Sequence, residues 1–238
     1  MKKGLVLVAV ISILTVGNVF AHDAGDLMMH IEPQFGLSIP TFTRTNDEIT
    51  DYKSSAVGLE FGLTVQAHYW FLDMLGANVG VGFNMGFDTV ESSGHVKETW
   101  LGYTLYEYDF KQTVLLTRAY ITVPFGVRFN TGVFVVGAGL SYNLPLGTAL
   151  YAATTTTDGG GSDSDSTDFK LKDYLGWYVD IGFDTSGNKD AGGGFGMVLR
   201  LAGGLGEADN YSDCKYIPFS ISLVFSPAIQ LTNFNSGN

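Results

Sequence analysis

The chain has a single cysteine, Cys214, so it cannot close an internal disulfide, and no Cys/His spacing suits a zinc ligand set. Beyond residue 21 no apolar run reaches ~18 residues, which excludes spanning helices. Positive charge is scarce, with 13 Lys and Arg against 24 Asp and Glu. Without a basic stripe there is no electrostatic footprint for nucleic acid. Proline is rare at 6 residues and charged residues make up only 16%, whereas glycine is abundant at 31.

What is present begins with an address. Met1-Lys2-Lys3 is followed by an apolar run from Leu5 to Val16 and then by Val19-Phe20-Ala21. A basic start, a short apolar stretch and small residues at positions −3 and −1 predict a secretory signal peptide over residues 1–21, cleaved after Ala21. Losing Lys2 and Lys3 leaves 11 cationic side chains against 24 carboxylates, a formal charge of −13 for residues 22–238. A chain of this length fits one β domain.

The strongest signal is alternation. From Val57 to Tyr69 the odd positions are apolar (Val57, Leu59, Phe61, Leu63, Val65, Ala67, Tyr69) and the even ones polar or glycine (Gly58, Glu60, Gly62, Thr64, Gln66, His68). Successive strand side chains point to opposite faces, so this is a strand with one greasy and one polar face. Eight segments follow the same rule, over about 28–42, 56–70, 75–89, 112–129, 133–148, 170–184, 194–206 and 216–225. The bulky apolar face is unbroken, while the other is rich in glycine and carries isolated charges. A water-soluble barrel would not fill its core with Gly, Glu, Gln, His and Arg. A membrane barrel inverts the assignment, apolar toward lipid and polar toward the lumen. Long links at about 43–55, 90–111, 149–169 and 206–215 alternate with short ones, of which Phe129-Asn130-Thr131-Gly132-Val133 is a tight hairpin signal. Trp70 and Phe71 are expected in an interfacial aromatic girdle, and Tyr103, Tyr106 and Tyr108 in a loop.

These features, with a last strand reading Ile217-Pro218-Phe219-Ser220-Ile221-Ser222-Leu223-Val224-Phe225, resemble the small outer-membrane β-barrel superfamily. That group includes the membrane domain of outer membrane protein A and outer membrane proteins X and W. The resemblance implies an eight-stranded antiparallel up-and-down transmembrane barrel in the cell outer membrane, with loops outside and termini periplasmic. Its partners would be outer-membrane lipids and, during biogenesis, the barrel-assembly machinery, which the aromatic-ended last strand would address. Residues Ser226 to Asn238, following that aromatic, depart from the pattern.

Three groups of residues are candidates for chemistry. Glu32, Glu60, Arg118, Arg128, Asp180 and Arg200 fall on inward positions, with Lys172 also placed there. Glu60 and Arg118 lie toward the outer half, Glu32, Arg128 and Asp180 toward the other, and Arg200 near the middle. An eight-stranded lumen is just wide enough for side chains to fill it, so these predict an ion-pair network. His30 and His68 are inward, His95 is in a long link, and none faces lipid as a lipid-modifying His-Ser enzyme would require. Asp158, Asp163, Asp165 and Asp168 lie in the polar tract TTTTDGGGSDSDSTD, a weak divalent-ion loop that lacks the calcium-loop signature. The four long links hold 14 acidic residues, a solvated surface open to contact with an extracellular or host ligand. The expectation is a non-enzymatic membrane scaffold with surface-exposed loops, needing no cofactor or metal. The alternative is transport of small, perhaps hydrophobic, solutes, in the manner of outer membrane protein W or a narrow porin.

Overall fold

The computed structural model describes residues 22–44, 49–100, 103–156, 163–167, 170–186, 193–208 and 214–233. The segment expected to be an export signal lies outside them. The described residues contain no helix. They form β1 (Asp26–Ser38), β2 (Thr41–Arg44), β3 (Ile49–Leu72), β4 (Leu75–Trp100), β5 (Tyr103–Asn130), β6 (Phe134–Thr156), β7 (Asp163–Thr167), β8 (Tyr174–Asp184), β9 (Gly193–Gly204), β10 (Cys214–Ile217) and β11 (Phe219–Asn233).

Eight of these close a ring in the order β1, β3, β4, β5, β6, β8, β9, β11, with β11 returning to β1, every neighbour antiparallel. Closure pairs the backbone of every strand on both sides, which is what makes a sheet tolerable in hydrocarbon. The outer wall is a continuous apolar belt that includes Phe35, Leu63, Val81, Phe125, Ile181, Leu199 and Ile229, all exposed. Burying such a surface in lipid, with polar groups facing inward, is the arrangement of a transmembrane barrel.

The turns at one end are tight. β3 and β4 join across residues 73–74, and β5 and β6 across 131–133. In the second turn Gly132 takes φ of 98°, and its N–H donates to Asn130 Oδ1 at 2.7 Å. Only glycine takes that conformation without steric cost. Both ends of the described barrel lie here too, since Asp26 pairs with Asn233.

At the opposite end the strands outrun the sequence expectation. Residues 90–100 and 103–111, expected as a loop, are the paired upper reaches of β4 and β5, so Tyr103, Tyr106 and Tyr108 lie in a strand. A strand of 26 residues such as β4 is far longer than the ~9–11 needed to cross a bilayer. The face pattern explains why alternation was lost to view. At the row Ala56–Val90–Val114 the inward side becomes apolar, with Val90 and Val114 buried against Phe42. The outward side becomes polar at Ser55, Glu91, Lys111 and Thr113. Above this row the outer face is polar and the inner face mixes apolar and polar residues, so the lipid-facing signal ends while the strand continues.

Three further expectations need correction. The segment 216–225 is two elements, because Pro218 separates β10, which pairs with β2 over this end, from β11. β11 then runs to Asn233 with Ile229 and Leu231 facing out, so Phe225 is not its end. Trp70 does not join a girdle; it points inward, fully buried, stacked on His22 at 3.8 Å, while Phe71 faces out. Lys172 precedes β8 and is exposed, not in the lumen.

The belt generates a direct test. Val81 sits mid-belt opposite Val65. Val81→Arg is expected to destabilise the folded barrel by ~2–4 kcal/mol, as charges at the bilayer midplane do, and Val81→Leu to change it little. Urea titration of folding in lipid vesicles measures both, and equal costs would contradict the lipid-facing assignment.

Candidate functional site

The lumen is the site that the fold builds. Its charges arrive from six strands because every inward position at a given height looks toward the same axis. Arg118 on β5 reaches Asp88 on β4 (Nε to Oδ2 2.8 Å), Glu60 on β3 (Nη2 to Oε2 2.9 Å) and Ser38 on β1 (Nη2 to Oγ 2.7 Å). Gly86 on β4 makes room for it: a Cβ there would lie 2.6 Å from the guanidinium carbon. Tyr216 of β10 closes the cluster from above, its hydroxyl donating to Asp88 Oδ2 at 3.0 Å.

Nearer the short turns, Arg200 on β9 grips Asp180 on β8 through two bonds of 2.8 Å and Glu32 on β1 through one of 3.0 Å. The forked contact is the geometry a guanidinium and a carboxylate share best. Arg128 is held more loosely, 3.8 Å from Glu32, 3.9 Å from Asp180 and 3.7 Å from Asp184. Glu32 also accepts from Gln66, which in turn accepts from Asn78, which donates to the Tyr178 hydroxyl as well. Between the two clusters runs a neutral ladder in which Gln34 donates to Asn84, Asn84 to Thr122 and Thr122 to Asn143. A cavity of about 60 Å³ lies beside Glu60, Arg118, Tyr120 and Thr122. That volume suits a few waters.

Sequence pattern alone missed several members. Asp88 was on an inward position but not weighed as a charge, and Asp184 and Tyr216 lay at segment edges. The stacked pair His30 and His68, 3.9 Å apart, comes from strands distant in sequence. Asp158 and Asp168 of the acidic tract lie outside the described residues, whereas Asp163 and Asp165 are in β7, paired with β6.

No protein-family profile and no curated protein matches this chain. Solved structures do. OprG from Pseudomonas aeruginosa is similar at 18% identity and a TM-score of 0.42, over 89% of this chain and 99% of that one. OmpT, the outer membrane protease of Escherichia coli, is similar at 8% identity and a TM-score of 0.40, over 87% and 97%. Ail, the attachment invasion locus protein of Yersinia pestis, is similar at 13% identity and a TM-score of 0.32, over 85% and 99%. The likeness is one of fold.

A second, exposed cluster rides on the long hairpin. His95 on β4 contacts Asp109 (2.8 Å) and Glu107 (2.9 Å) on β5, and Lys97 contacts Glu107 (3.3 Å). The Asp109 hydrogen bond, then that of Glu107, raises the His95 pKa above 6.5. Lys97, then His95, lowers that of Glu107 below 4.5.

Two expectations follow. Arg200→Ala strands Asp180 and part of Glu32 without their cation and should cost about 3–5 kcal/mol, the usual penalty for breaking a buried pair, read by the same urea titration. On the hairpin, the His95 contribution is present below its ordinary pKa and lost as pH rises through the raised one. The Glu107 contribution is present above its ordinary pKa and lost as pH falls through the lowered one. The clamp is therefore complete between about pH 4.5 and 6.5. An NMR titration of the His95 ring should give a midpoint above 6.5; a midpoint at or below it would contradict the clamp.

Proposed function

We propose that this protein is an outer-membrane barrel that acts as a sealed anchor, presenting the long β3–β4, β4–β5 and β5–β6 extensions to the exterior. One observation carries the reading: the buried guanidiniums of Arg118, Arg128 and Arg200 are held inside the lumen by carboxylates of other strands. The orientation in this reading is the general one of outer-membrane barrels, short turns periplasmic and long loops extracellular. The short turns and both ends of the described barrel face the periplasm, and the long hairpins, water-exposed on their outer face, lie outside the cell. Lipids of the outer membrane contact the apolar belt, the barrel-assembly machinery inserts the chain, and an extracellular or host ligand meets the hairpins. Tyr103, Leu105 and Tyr106 at the tip of the β4–β5 hairpin are exposed. Aromatic side chains at such a position offer large contact area at small entropic cost. No enzymatic activity is assigned. The alternative, a route for small solutes, has only the cavity of about 60 Å³ in its favour.

Conductance separates the two. Purified protein in planar bilayers should show no steady conductance, and Glu60→Ala, which removes one of the two carboxylates on Arg118, should give transient openings and lower stability. A large, steady conductance from the unaltered protein would establish a pore instead.

A further inference from the structure

We propose that the short-turn half of the lumen binds one divalent transition-metal ion of the zinc class between His30, Glu32 and His68. His30 and Glu32 are two residues apart on the inward face of β1, and Met28 pairs with His68 on β3, which brings His68 diagonally beside His30. One ligand atom from each of the three lies within 4.8 Å of the others. All three side chains are almost wholly buried.

The hydrogen bonds around them determine where the lone pairs are. Ser226 Oγ lies 2.8 Å from His30 Nδ1 and donates its single proton to Glu32 Oε1 at 3.3 Å. His30 must then donate from Nδ1, which leaves a lone pair on Nε2, and Nε2 has no partner. A ring oriented through its other nitrogen in this way is the usual support of a metal-ligating histidine. Arg128 Nη1 lies 3.2 Å from His68 Nδ1. A guanidinium can only donate, so Nδ1 carries the His68 lone pair, and the Nε2–H is buried without an acceptor. Two adjacent imidazoles thus each hold an unsatisfied nitrogen beside a carboxylate.

Charge points the same way. The buried charged side chains of the described residues comprise six carboxylates and only three guanidiniums, so the interior is short of positive charge. Two imidazole nitrogens and one carboxylate oxygen form a donor set that favours zinc-like ions over magnesium or calcium, which prefer all-oxygen shells. Bonds of ~2.0–2.2 Å to a shared ion suit ligand atoms that lie within 4.8 Å of one another. Ligation by either His68 nitrogen releases Arg128, which has Asp184 Oδ2 3.7 Å away to close upon. The site faces the short-turn mouth, covered there by His22 stacked on Trp70 and by residues 22–25, tied down through Gly25 N–H to the Trp70 carbonyl. An ion therefore enters from that side.

The test uses the full barrel refolded in detergent, stripped with a chelator and titrated with zinc chloride by calorimetry, then with cobalt chloride by visible absorption. The expected result is one zinc per chain and a cobalt spectrum of a four- or five-coordinate nitrogen/oxygen site. His30→Gln and His68→Gln, which keep a polar side chain, should weaken binding at least tenfold, while His95→Gln on the exposed hairpin should leave it unchanged. Folding of each variant is checked by its heat-dependent mobility on gels, and the cobalt spectrum of the unaltered protein needs no variant at all. No binding by either ion, loose binding of several ions per chain, or loss of binding in His95→Gln with retention in the lumen variants would each overturn the proposal.

Discussion

Three guanidiniums enclosed by eight strands meet very little water, so each must find carboxylates on other strands, and much else in the structure follows from that demand. An isolated charge in such a place costs several kcal/mol, and breaking a pair by removing one partner costs about 3–5 kcal/mol. Arg118 and Arg200 therefore reach to neighbouring strands and across the lumen, to Asp88, Glu60, Asp180 and Glu32. The reach of Arg118 requires glycine at position 86 on the inward face. It also leaves the neutral ladder from Gln34 to Asn143 to fill the middle. A lumen filled in this way is what the sealed-anchor proposal rests on.

The ends differ in kind. At the short turns the stopper is aromatic and apolar, with Met28, Trp70 and Ala228 packed together and His22 stacked on Trp70. At the other end β2 and β10 form a small flap, with Phe42 and Tyr216 in its underlying core beside Leu116. Beyond the row of Ala56, Val90 and Val114 the strands continue with a polar outer face and a mixed inner one. The outer face turns polar at Ser55, Glu91 and Thr113, so the same strand serves first as membrane wall and then as a sheet facing water without a break in its backbone pairing.

Much of this was legible in the sequence, and the reason is the period of two. Phe61 against Glu60, Val81 against Gly82 and Leu199 against Arg200 announce lipid and lumen directly, and they carry the fold. What was not legible depends on context beyond the period. Val90 and Val114 face inward like Glu60, yet in isolation their strands look featureless, because polar residues then face water. Trp70 resembles a girdle residue until its inward parity is set beside the ring of His22. The pairing of His30 with His68 requires the register between β1 and β3, which no local pattern contains. Arg128 sits on the inward face as expected, but its weaker contacts, and the Asp184 that shares it, are properties of the closed ring alone.

The ion pairs inside the lumen are the central element, and a double-mutant cycle on Arg200 and Asp180, opposed on the neighbouring strands β9 and β8, measures one of them. Arg200→Ala, Asp180→Ala and the double variant are folded into vesicles and titrated with urea. The account predicts that the double variant costs less than the sum of the single variants, with a coupling energy of about 1–3 kcal/mol. Additivity within ~0.5 kcal/mol would mean that the two residues do not stabilise each other, and would contradict a barrel sealed by its own ion pairs.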